Sequence, residues 1–327
     1  MFHKQRSPLV DNPHSRINPV IENPQVRLAR GSLWSATVHN ARTALERGAI
    51  HPIETKQTFT DDAGVRFSIR CVSTLADKIQ AQQQAAAVTK AGAPVDPFLP
   101  YDPDLFVARV STTHVALLNK FPVYEHHLLI VTREFEHQEM LLTDEDFVAL
   151  AACMAEFEAL AFYNSGTQSG ASQPHKHLQM VPLPLSQTTA AVPIEPLLEA
   201  APADNRIHIL STLPFRHAFA RLDPALFVWP ESGAPALRRV YLNMLRTLDL
   251  EDVYPGDGLW QAVPYNLLLT REWMLLVPRS QEKFEAISVN ALGFAGSFFV
   301  YTPALAEVIV RAGPMTVLHS VALPRDP

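Results

Sequence analysis

The spacing of apolar residues predicts several helices. Residues 33–47 carry apolar side chains near helical spacing, and the pattern stops at Gly48. Thr143 and Asp146 have the spacing of a capping box, which is typical of a helix start. Apolar residues then recur every three or four positions, which predicts one long amphipathic helix over residues 147–164. Two further segments have a helical pattern, residues 236–250 and the final helix, residues 303–312.

Alternating or continuous short apolar runs predict strands. Val65–Ser73 alternates apolar and polar residues, as a strand with one buried face does. Residues 114–119 and 126–132 are short runs rich in strand-forming residues, and the segment between them contains a proline that a central strand would exclude. Residues 264–270 and 273–279 flank a charged turn. The sequence therefore predicts two antiparallel hairpins.

The two hairpin patterns resemble each other. Residues 115–136 and 265–282 both run from strand through charged turn to strand and then to a basic segment. We therefore expect an α+β protein with two related halves, residues 1–200 and 201–327, an antiparallel sheet and flanking helices. Residues 79–95 are low in complexity and are predicted to be a loop or frayed helix without chemistry.

Composition narrows the class of protein. With 47% hydrophobic and 18% charged residues, the 327-residue chain is typical of a globular protein rather than a disordered one. A net charge of −6 argues against a nucleic-acid-binding surface. The two cysteines, Cys71 and Cys153, form no C-x-x-C pair, and no apolar run reaches membrane-spanning length. These features predict a cytoplasmic protein that binds neither nucleic acid nor membrane and has no structural zinc.

The run His175-Lys-His177-Leu-Gln179 is the main candidate for chemistry. In a strand these three side chains lie on one face. His177 could then attack a phosphorus through one ring nitrogen, while the other donates to a backbone carbonyl, with His175 as the expected acceptor. The Gln179 amide could donate to a phosphate oxygen as negative charge develops.

The preceding loop has the composition of a phosphate-binding segment. Gly166 and Gly170 allow close backbone approach. Neutral hydrogen-bonding side chains are supplied by Asn164, Ser169, Ser172 and Gln173. An ordinary helix-to-strand turn is the alternative.

Two other roles for the histidines stay open. A histidine pair on a strand can bind a metal, but the nearby sequence offers no obvious carboxylate or thiolate to complete the site. Both rings could instead be satisfied within a polar core. Gln179, standing where a third histidine would complete a triad, is hard to explain by a structural role.

Several blocks together resemble a known family. These are "NSGTQSGASQPHKHLQ", "DPFLPYDPDLFV", "LLNKFPV", "LLIVTREFE", "YNLLLTREWMLLVPRS" and "NALGFAGSFFV". They resemble the ATP adenylyltransferase, or diadenosine tetraphosphate phosphorylase, family of the histidine-triad superfamily, in the branch with galactose-1-phosphate uridylyltransferase. The resemblance runs from about Trp34 to Leu318. It implies two fused histidine-triad-like halves, with catalysis in the first and a substrate-completing surface in the second.

The resemblance also implies a reaction and a set of residues. Diadenosine tetraphosphate would be cleaved by phosphate to ADP and ATP through a covalent adenylyl group on His177, with Gln179 and His175 in support. The implied phosphate loop comprises Asn164, Ser169, Gly170, Ala171, Ser172 and Gln173. The other implied substrate contacts are Lys56, Asp96, Pro97, Asn290, Ala291 and Leu292. Ser297 and Tyr301 replace a methionine and a lysine found in some members.

The remaining aromatic and charged residues have a structural interpretation. Trp260, Trp273 and Phe294 are expected in the core, although each could stack on adenine. His126 and His127 are expected to cap a strand. The arginines expected to form salt bridges near turns are Arg133, Arg271 and Arg279.

Alternatives to the leading function remain. The same intermediate would serve a phosphorylase that splits adenylylsulfate to ADP and sulfate, and a nucleotide-binding sensor without turnover is also open. A uridylyltransferase is disfavoured by the absence of a cysteine pair. The expected partners are nucleotides and inorganic phosphate, with magnesium on the polyphosphate and no tightly bound cofactor. The oligomeric state is left open.

Overall fold

The protein is built on one large antiparallel sheet flanked by helices. A computed structural model describes residues 25–72, 96–188, 190–250 and 260–325. The helices are α1 (Leu33–Glu46), α2 (Asp144–Met154), α3 (Glu195–Leu198), α4 (Pro230–Thr247), α5 (Ala291–Phe294), α6 (Pro303–Ala312) and α7 (Pro314–Val321).

The strands form three sheets. They are β1 (Thr55–Asp62), β2 (Val65–Val72), β3 (Phe106–Arg109), β4 (His114–Leu118), β5 (Leu128–Thr132), β6 (Ala159–Asn164), β7 (His177–Pro182), β8 (Ala218–Arg221), β9 (Tyr265–Leu269), β10 (Trp273–Pro278), β11 (Lys283–Phe284), β12 (Ile287–Ser288) and β13 (Ser297–Val300). The main sheet has the order β3-β4-β5-β7-β6-β9-β10-β8, and every neighbouring pair in it is antiparallel. A smaller sheet has the order β1-β2-β13, and β11 pairs with β12. This arrangement confirms the expected α+β fold.

Hydrophobic clusters cover both faces of the main sheet. On β10, Met274 and Leu276 enter the cluster that holds α2 and α4, whereas Leu275 and Val277 enter the cluster that holds β2 and α7. Strands buried on both faces read as continuous apolar runs, which is why β9 and β10 show no alternation in sequence. Both clusters contain residues from before and after residue 200, so the two predicted halves share their cores. The boundary at residue 200 stays a prediction.

The two halves are related by an approximate two-fold repeat. The unit β5-α2-β6-β7 and the unit β8-α4-β9-β10 have the same strand order, and they meet where β6 pairs with β9. Ala159 pairs with Pro182 as Tyr265 pairs with Pro278, and counting back five residues from each proline places Trp273 at the position of His177. The hairpin β9-β10 therefore corresponds to β6-β7. The sequence similarity between residues 115–136 and 265–282 had instead predicted a correspondence with β4-β5.

The predicted long helix over residues 147–164 is confirmed up to Met154 and wrong beyond it. The capping box of Thr143 and Asp146 is present, but α2 ends at Met154 and residues 159–164 form β6. Every residue from Asp146 to Met154 is buried, so the helix has no polar face whose loss would mark its end. The helix at 303–312 is confirmed, although α7 follows it, and the predicted α1, β2 and both hairpins are confirmed. Residues 79–95 lie outside the described ranges.

A buried ion network ties α2 to the strand that carries the histidines. Lys176 is fully buried, and its Nζ lies 2.9 Å from Asp146 Oδ2 and 2.8 Å from Glu136 Oε2. The other oxygen of Asp146 lies 3.0 Å from His114 Nε2. Burial alone would raise the pKa of Asp146, but the charge of Lys176 and the hydrogen bond with His114 hold it well below its usual range.

Within the described ranges, no helix combines the length and apolarity needed to cross a bilayer.

We expect Asp146→Asn to lower the free energy of unfolding by about 3 kcal/mol, because it removes one partner of a buried ion pair while Glu136 still pairs with Lys176. The control is Asp144→Asn, since Asp144 is exposed and pairs with Arg238 at 3.2 Å; its effect should stay below about 1 kcal/mol. Urea denaturation measures both. The Asp146 contribution should be full above about pH 4 and should shrink as the pH falls, because the folded-state pKa is depressed. Equal losses in the two variants would contradict this account.

Candidate active site

The candidate site lies where β6 and β7 come together near the centre of the main sheet. The chain leaves β6 at Asn164, forms a short 3-10 turn at Thr167–Ser169 and re-enters the sheet at His177. Gly170 has φ +90°, and a Cβ atom there would lie 2.7 Å from the Cβ of Asn290. A glycine is therefore required for both the turn and the close contact with the second half.

His177 lines a cavity of about 770 Å³ and is itself only 4% exposed. Its Nδ1 donates to the carbonyl of His175 over 2.8 Å, which is the bond predicted from the sequence. Burial lowers the pKa of His177 to about 4, so the ring is neutral at pH 7. With the proton on Nδ1, the lone pair is on Nε2, and no described residue makes a hydrogen bond to that nitrogen. Nε2 is thus available as a nucleophile.

His175 is completely buried and does not line the cavity. Its Nδ1 lies 2.7 Å from Asp96 Oδ2, and its Nε2 lies 3.0 Å from the carbonyl oxygen of Thr132. These contacts hold the ring, and with it the carbonyl that anchors His177. The local sequence shows no carboxylate near the histidines because Asp96 is distant from them along the chain. Asp96 directs its carboxylate to His175 and is not among the cavity residues, so its contact with substrate stays a prediction.

Gln179 is oriented by a chain of hydrogen bonds that the sequence reasoning missed. The N–H of Phe121 donates to Asn119 Oδ1 over 2.9 Å, so the Asn119 amide nitrogen faces His127 Nδ1 at 3.1 Å. His127 Nε2 in turn donates to Gln179 Oε1 over 3.1 Å. The donor and acceptor atoms of each side chain are therefore fixed. Gln179 lines the cavity, and its NH2 group is left to donate into it.

His127 belongs to the site. The prediction that it caps a strand is wrong. Burial lowers its pKa to about 4, so it is neutral and must donate through one nitrogen and accept through the other. The sequence did contain a signal for this role. His127 lies two residues before Leu129, which pairs with Gln179, so strand alternation places the side chains of His127 and Leu129 on the same face.

The predicted substrate residues other than Asp96 divide into three groups. Those that line the cavity are Pro97, Asn164, Gly170, Ala171, Ser172, Gln173, Asn290 and Leu292. Two act behind it: Ser169 donates to the carbonyl of Gly166 over 2.9 Å, and the Ala291 N–H donates to Asn164 Oδ1 over 3.0 Å. Lys56 is exposed on β1 and is not among the cavity residues, so its phosphate contact stays a prediction.

The second half holds Asn164 in place through a buried arginine. Asn266 Nδ2 donates to Asn164 Oδ1 and to the carbonyl of Ser169, both over 2.8 Å. Arg279 Nη1 donates to Asn266 Oδ1 over 2.6 Å. The Asn164 oxygen is thereby occupied, and its NH2 group remains for a ligand. The expected Arg279 salt bridge is wrong: the guanidinium is buried among neutral oxygens, and burial lowers its pKa to about 9.

Other side chains complete the cavity wall. Lys120 and Lys283 contribute cationic groups, and the aromatic rings that line the cavity are Phe98, Tyr101, Phe121, Tyr124, Phe298, Phe299 and Tyr301. The expected core positions of Trp273 and Phe294 are confirmed, since both are buried. Arg271 forms the expected salt bridge, with Glu158 at 2.7 Å. Among the described residues, no group of three or more His, Cys, Asp or Glu side chains is arranged to hold a metal ion.

Comparison with protein families agrees with this arrangement. Residues 23–200 match the Ap4A phosphorylase N-terminal domain, and residues 211–324 match the ATP adenylyltransferase C-terminal domain, where Ap4A is diadenosine tetraphosphate. The chain belongs to the Ap4A phosphorylase family. The family's two models together cover both the histidine strand and the second-half residues that support it.

Individual relatives come from Saccharomyces cerevisiae. Protein APA1 is 28% identical over 274 residues, which cover 78% of this chain and 82% of the relative. Diadenosine 5',5'''-P1,P4-tetraphosphate phosphorylase 2 is 29% identical over 230 residues, 63% of this chain and 68% of the relative. The crystal structure of yeast Ap4A phosphorylase Apa2 superimposes with a TM-score of 0.73 at 21% identity, covering 91% of this chain and 97% of Apa2. This likeness shows that the fold is that of the Ap4A phosphorylase family.

We expect Asn119→Asp to reverse the hydrogen-bond chain. A carboxylate cannot donate to His127, so neutral His127 would donate to it through Nδ1 and accept from Gln179, turning the Gln179 oxygen toward the cavity. Nucleotidyl transfer should then fall by about 10²-fold, as for loss of an oxyanion donor. The new carboxylate raises the pKa of His127, and the protonated ring donates at both nitrogens, which restores the original direction.

The rate of Asn119→Asp relative to wild type should therefore rise as the pH is lowered from about 8 to about 5. Steady-state rates across this range measure the ratio. Asn243→Asp is the control, because Asn243 lies on α4 and accepts a hydrogen bond from Arg246 there. A ratio that does not change with pH would exclude the directional chain.

Proposed function

We propose that the protein cleaves diadenosine tetraphosphate with inorganic phosphate, giving ATP and ADP through a covalent His177–AMP intermediate. In the first step, Nε2 of His177 bonds to the α-phosphorus, and the bond from that phosphorus to the bridging oxygen breaks, so ATP leaves with the electron pair. In the second step, a phosphate oxygen bonds to the same phosphorus, and the P–N electron pair returns to Nε2. The products are ADP and free enzyme.

The observation that carries this proposal is the state of His177. The ring is neutral, its proton is held on Nδ1 by the carbonyl of His175, and Nε2 is the free nitrogen of a cavity-lining residue. When Nε2 is adenylylated the ring becomes cationic, and the Nδ1–H bond to a carbonyl oxygen stabilises that charge. A histidine serving only the core would not need a free lone pair at a cavity.

The groups around His177 fit a transferred phosphoryl group. The Gln179 and Asn164 amides each have an NH2 group left for a ligand, and Ser172 and Gln173 line the same cavity. Lys120 and Lys283 can contact the charged polyphosphate. Since an amide neither gives nor takes a proton readily, Gln179 stabilises charge without activating water, which favours transfer over hydrolysis. Magnesium on the polyphosphate stays a prediction.

The relatives support the choice of substrate. A structure of yeast Apa2 was solved in complex with Ap4A, with a TM-score of 0.68 to this chain at 20% identity, and another was solved with AMP. The adenylylsulfate alternative uses the same intermediate and differs only in its leaving group. Incubation with each compound, with and without phosphate, separates the two, because sulfate or ATP appears as the leaving product. Absence of phosphate-dependent ADP from both would indicate a sensor.

We expect His177→Ala to abolish the adenylyl-enzyme, because His127, the other described histidine that lines the cavity, uses both ring nitrogens in hydrogen bonds with Asn119 and Gln179. The measurement is transfer of radiolabel from the α-phosphate of the dinucleotide to protein, as an acid-labile and base-stable adduct. His319→Ala is the control, since His319 is exposed on α7. Retained labelling in His177→Ala would remove the mechanism.

We expect Gln179→Ala to lower kcat by about 10²- to 10³-fold, the loss typical of one oxyanion donor. The adduct should still form, but slowly, which pre-steady-state labelling measures. An unchanged kcat would refute the role of the amide.

A further inference from the structure

The ladder between β6 and β7 is interrupted at the nucleophile. Direct pairing runs from Ala159↔Pro182 to Phe162↔Gln179. Hydrogen-bonded pairs recur every second residue in an antiparallel ladder, so the next pair would join Asn164 to His177. That pair does not form, and the side chain of Gln138 stands between the two backbones instead.

Gln138 replaces the missing pair with three hydrogen bonds. Its Oε1 accepts from the His177 N–H over 2.8 Å, and its Nε2 donates to the carbonyls of His177 (3.1 Å) and Asn164 (2.8 Å). The side chain is only 2% exposed. The neighbouring Lys176 carbonyl accepts from Thr132 on β5, so the alternating backbone of His177 must face β6, where Gln138 is its partner.

The second half provides an internal comparison. Trp273 occupies the position of His177, and Thr270 occupies that of Asn164. There the Thr270 N–H donates directly to the Trp273 carbonyl over 3.0 Å, and the pair closes. The inserted amide is therefore a feature of the half that carries the histidine, not of the repeated fold.

We propose that Gln138 is a positioning residue for transfer: it sets the separation between the backbone of the nucleophile His177 and Asn164, the first residue of the phosphate loop. This inference rests on the proposed function. A phosphorus attacked by Nε2 must lie within reach of His177 while its oxygens meet the Asn164 amide, so the distance between the two backbones decides whether both contacts form together. A single direct hydrogen bond would bring the backbones closer than an inserted amide with a hydrogen bond on each side.

Gln138→Met tests this proposal, because methionine keeps the length of the side chain and removes all three hydrogen bonds. We expect kcat to fall by about 10²-fold, the scale of a small misplacement of reacting groups. The Kd for AMP should change by less than about threefold, since ground-state contacts remain. Hydrogen exchange at the His177 backbone amide should become faster, whether or not the variant turns over.

Gln138→Glu is the second variant and serves also if Gln138→Met does not fold. Its carboxylate can accept from the His177 N–H but cannot donate to either carbonyl, so activity should be low at about pH 8. Burial raises the pKa of such a carboxyl, and the protonated form can donate to one carbonyl. Activity relative to wild type should therefore recover as the pH falls. The titratable neighbours are Glu139 beside it, Tyr163, which donates to the Gln138 carbonyl, and His177.

Gln261→Met is the matched control. Gln261 is also buried, but it donates to the carbonyl of Ser165 over 2.6 Å. It should lose thermal stability while kcat stays within about threefold of wild type. A wild-type kcat and unchanged amide exchange in Gln138→Met, or a pH-independent ratio in Gln138→Glu, would overturn the inference. If wild type itself forms no adenylyl-enzyme, the proposed function fails, and the amide exchange of His177 still decides whether Gln138 holds the backbone.

Discussion

The hydrogen bond from His177 Nδ1 to the carbonyl of His175 decides which nitrogen of the imidazole can react. It joins a side chain to the backbone two residues earlier, just before β7 begins, so the local backbone fixes the tautomer. Burial keeps the ring neutral, and the lone pair is left on Nε2. The rest of the site serves this one ring, either by holding its anchor or by placing donors where the transferred phosphoryl group would lie.

The alternation of β7 separates two kinds of chemistry. His177 and Gln179 lie on the face of β7 that lines the cavity, and His175, just before the strand, is buried on the same side, where Phe98 packs against both histidine rings. Lys176 lies on the other face, where it pairs with Asp146 and Glu136 and joins the strand to the start of α2. A buried charge network therefore lies directly behind the neutral reactive ring. The network stabilises the strand without placing a charge in contact with the nucleophile.

The two halves share a strand order but differ at the position of His177. In the second half a tryptophan occupies the nucleophile's position, and its strand pair closes directly. In return, that half supplies Asn266, Arg279 and the backbone of Ala291, which bond to Asn164 or to one another at the phosphate loop. All five N–H groups of Arg279 donate to neutral oxygens inside the protein. Arg279 therefore supports the loop and has no donor left for phosphate. The half that carries His177 is thus completed by contacts from the other half.

The local pattern of the sequence determined the strands rich in β-forming residues and the capping box of α2. It also determined that His177 and Gln179 share a face and that His177 bonds to the carbonyl of His175. These features depend on residues close together in the chain, and strand or helix periodicity is enough to place them. The sequence did not locate the end of α2, because a helix buried on all sides loses its polar face.

The contacts of Asp96 with His175, of Asn119 and His127 with Gln179, and of Gln138 with His177 were decided by the tertiary structure. Each joins residues brought together only when strands pair across the sheet or loops fold over it. A polar side chain carries no mark in sequence of which distant partner it will meet, because that depends on register and on how far two strands separate.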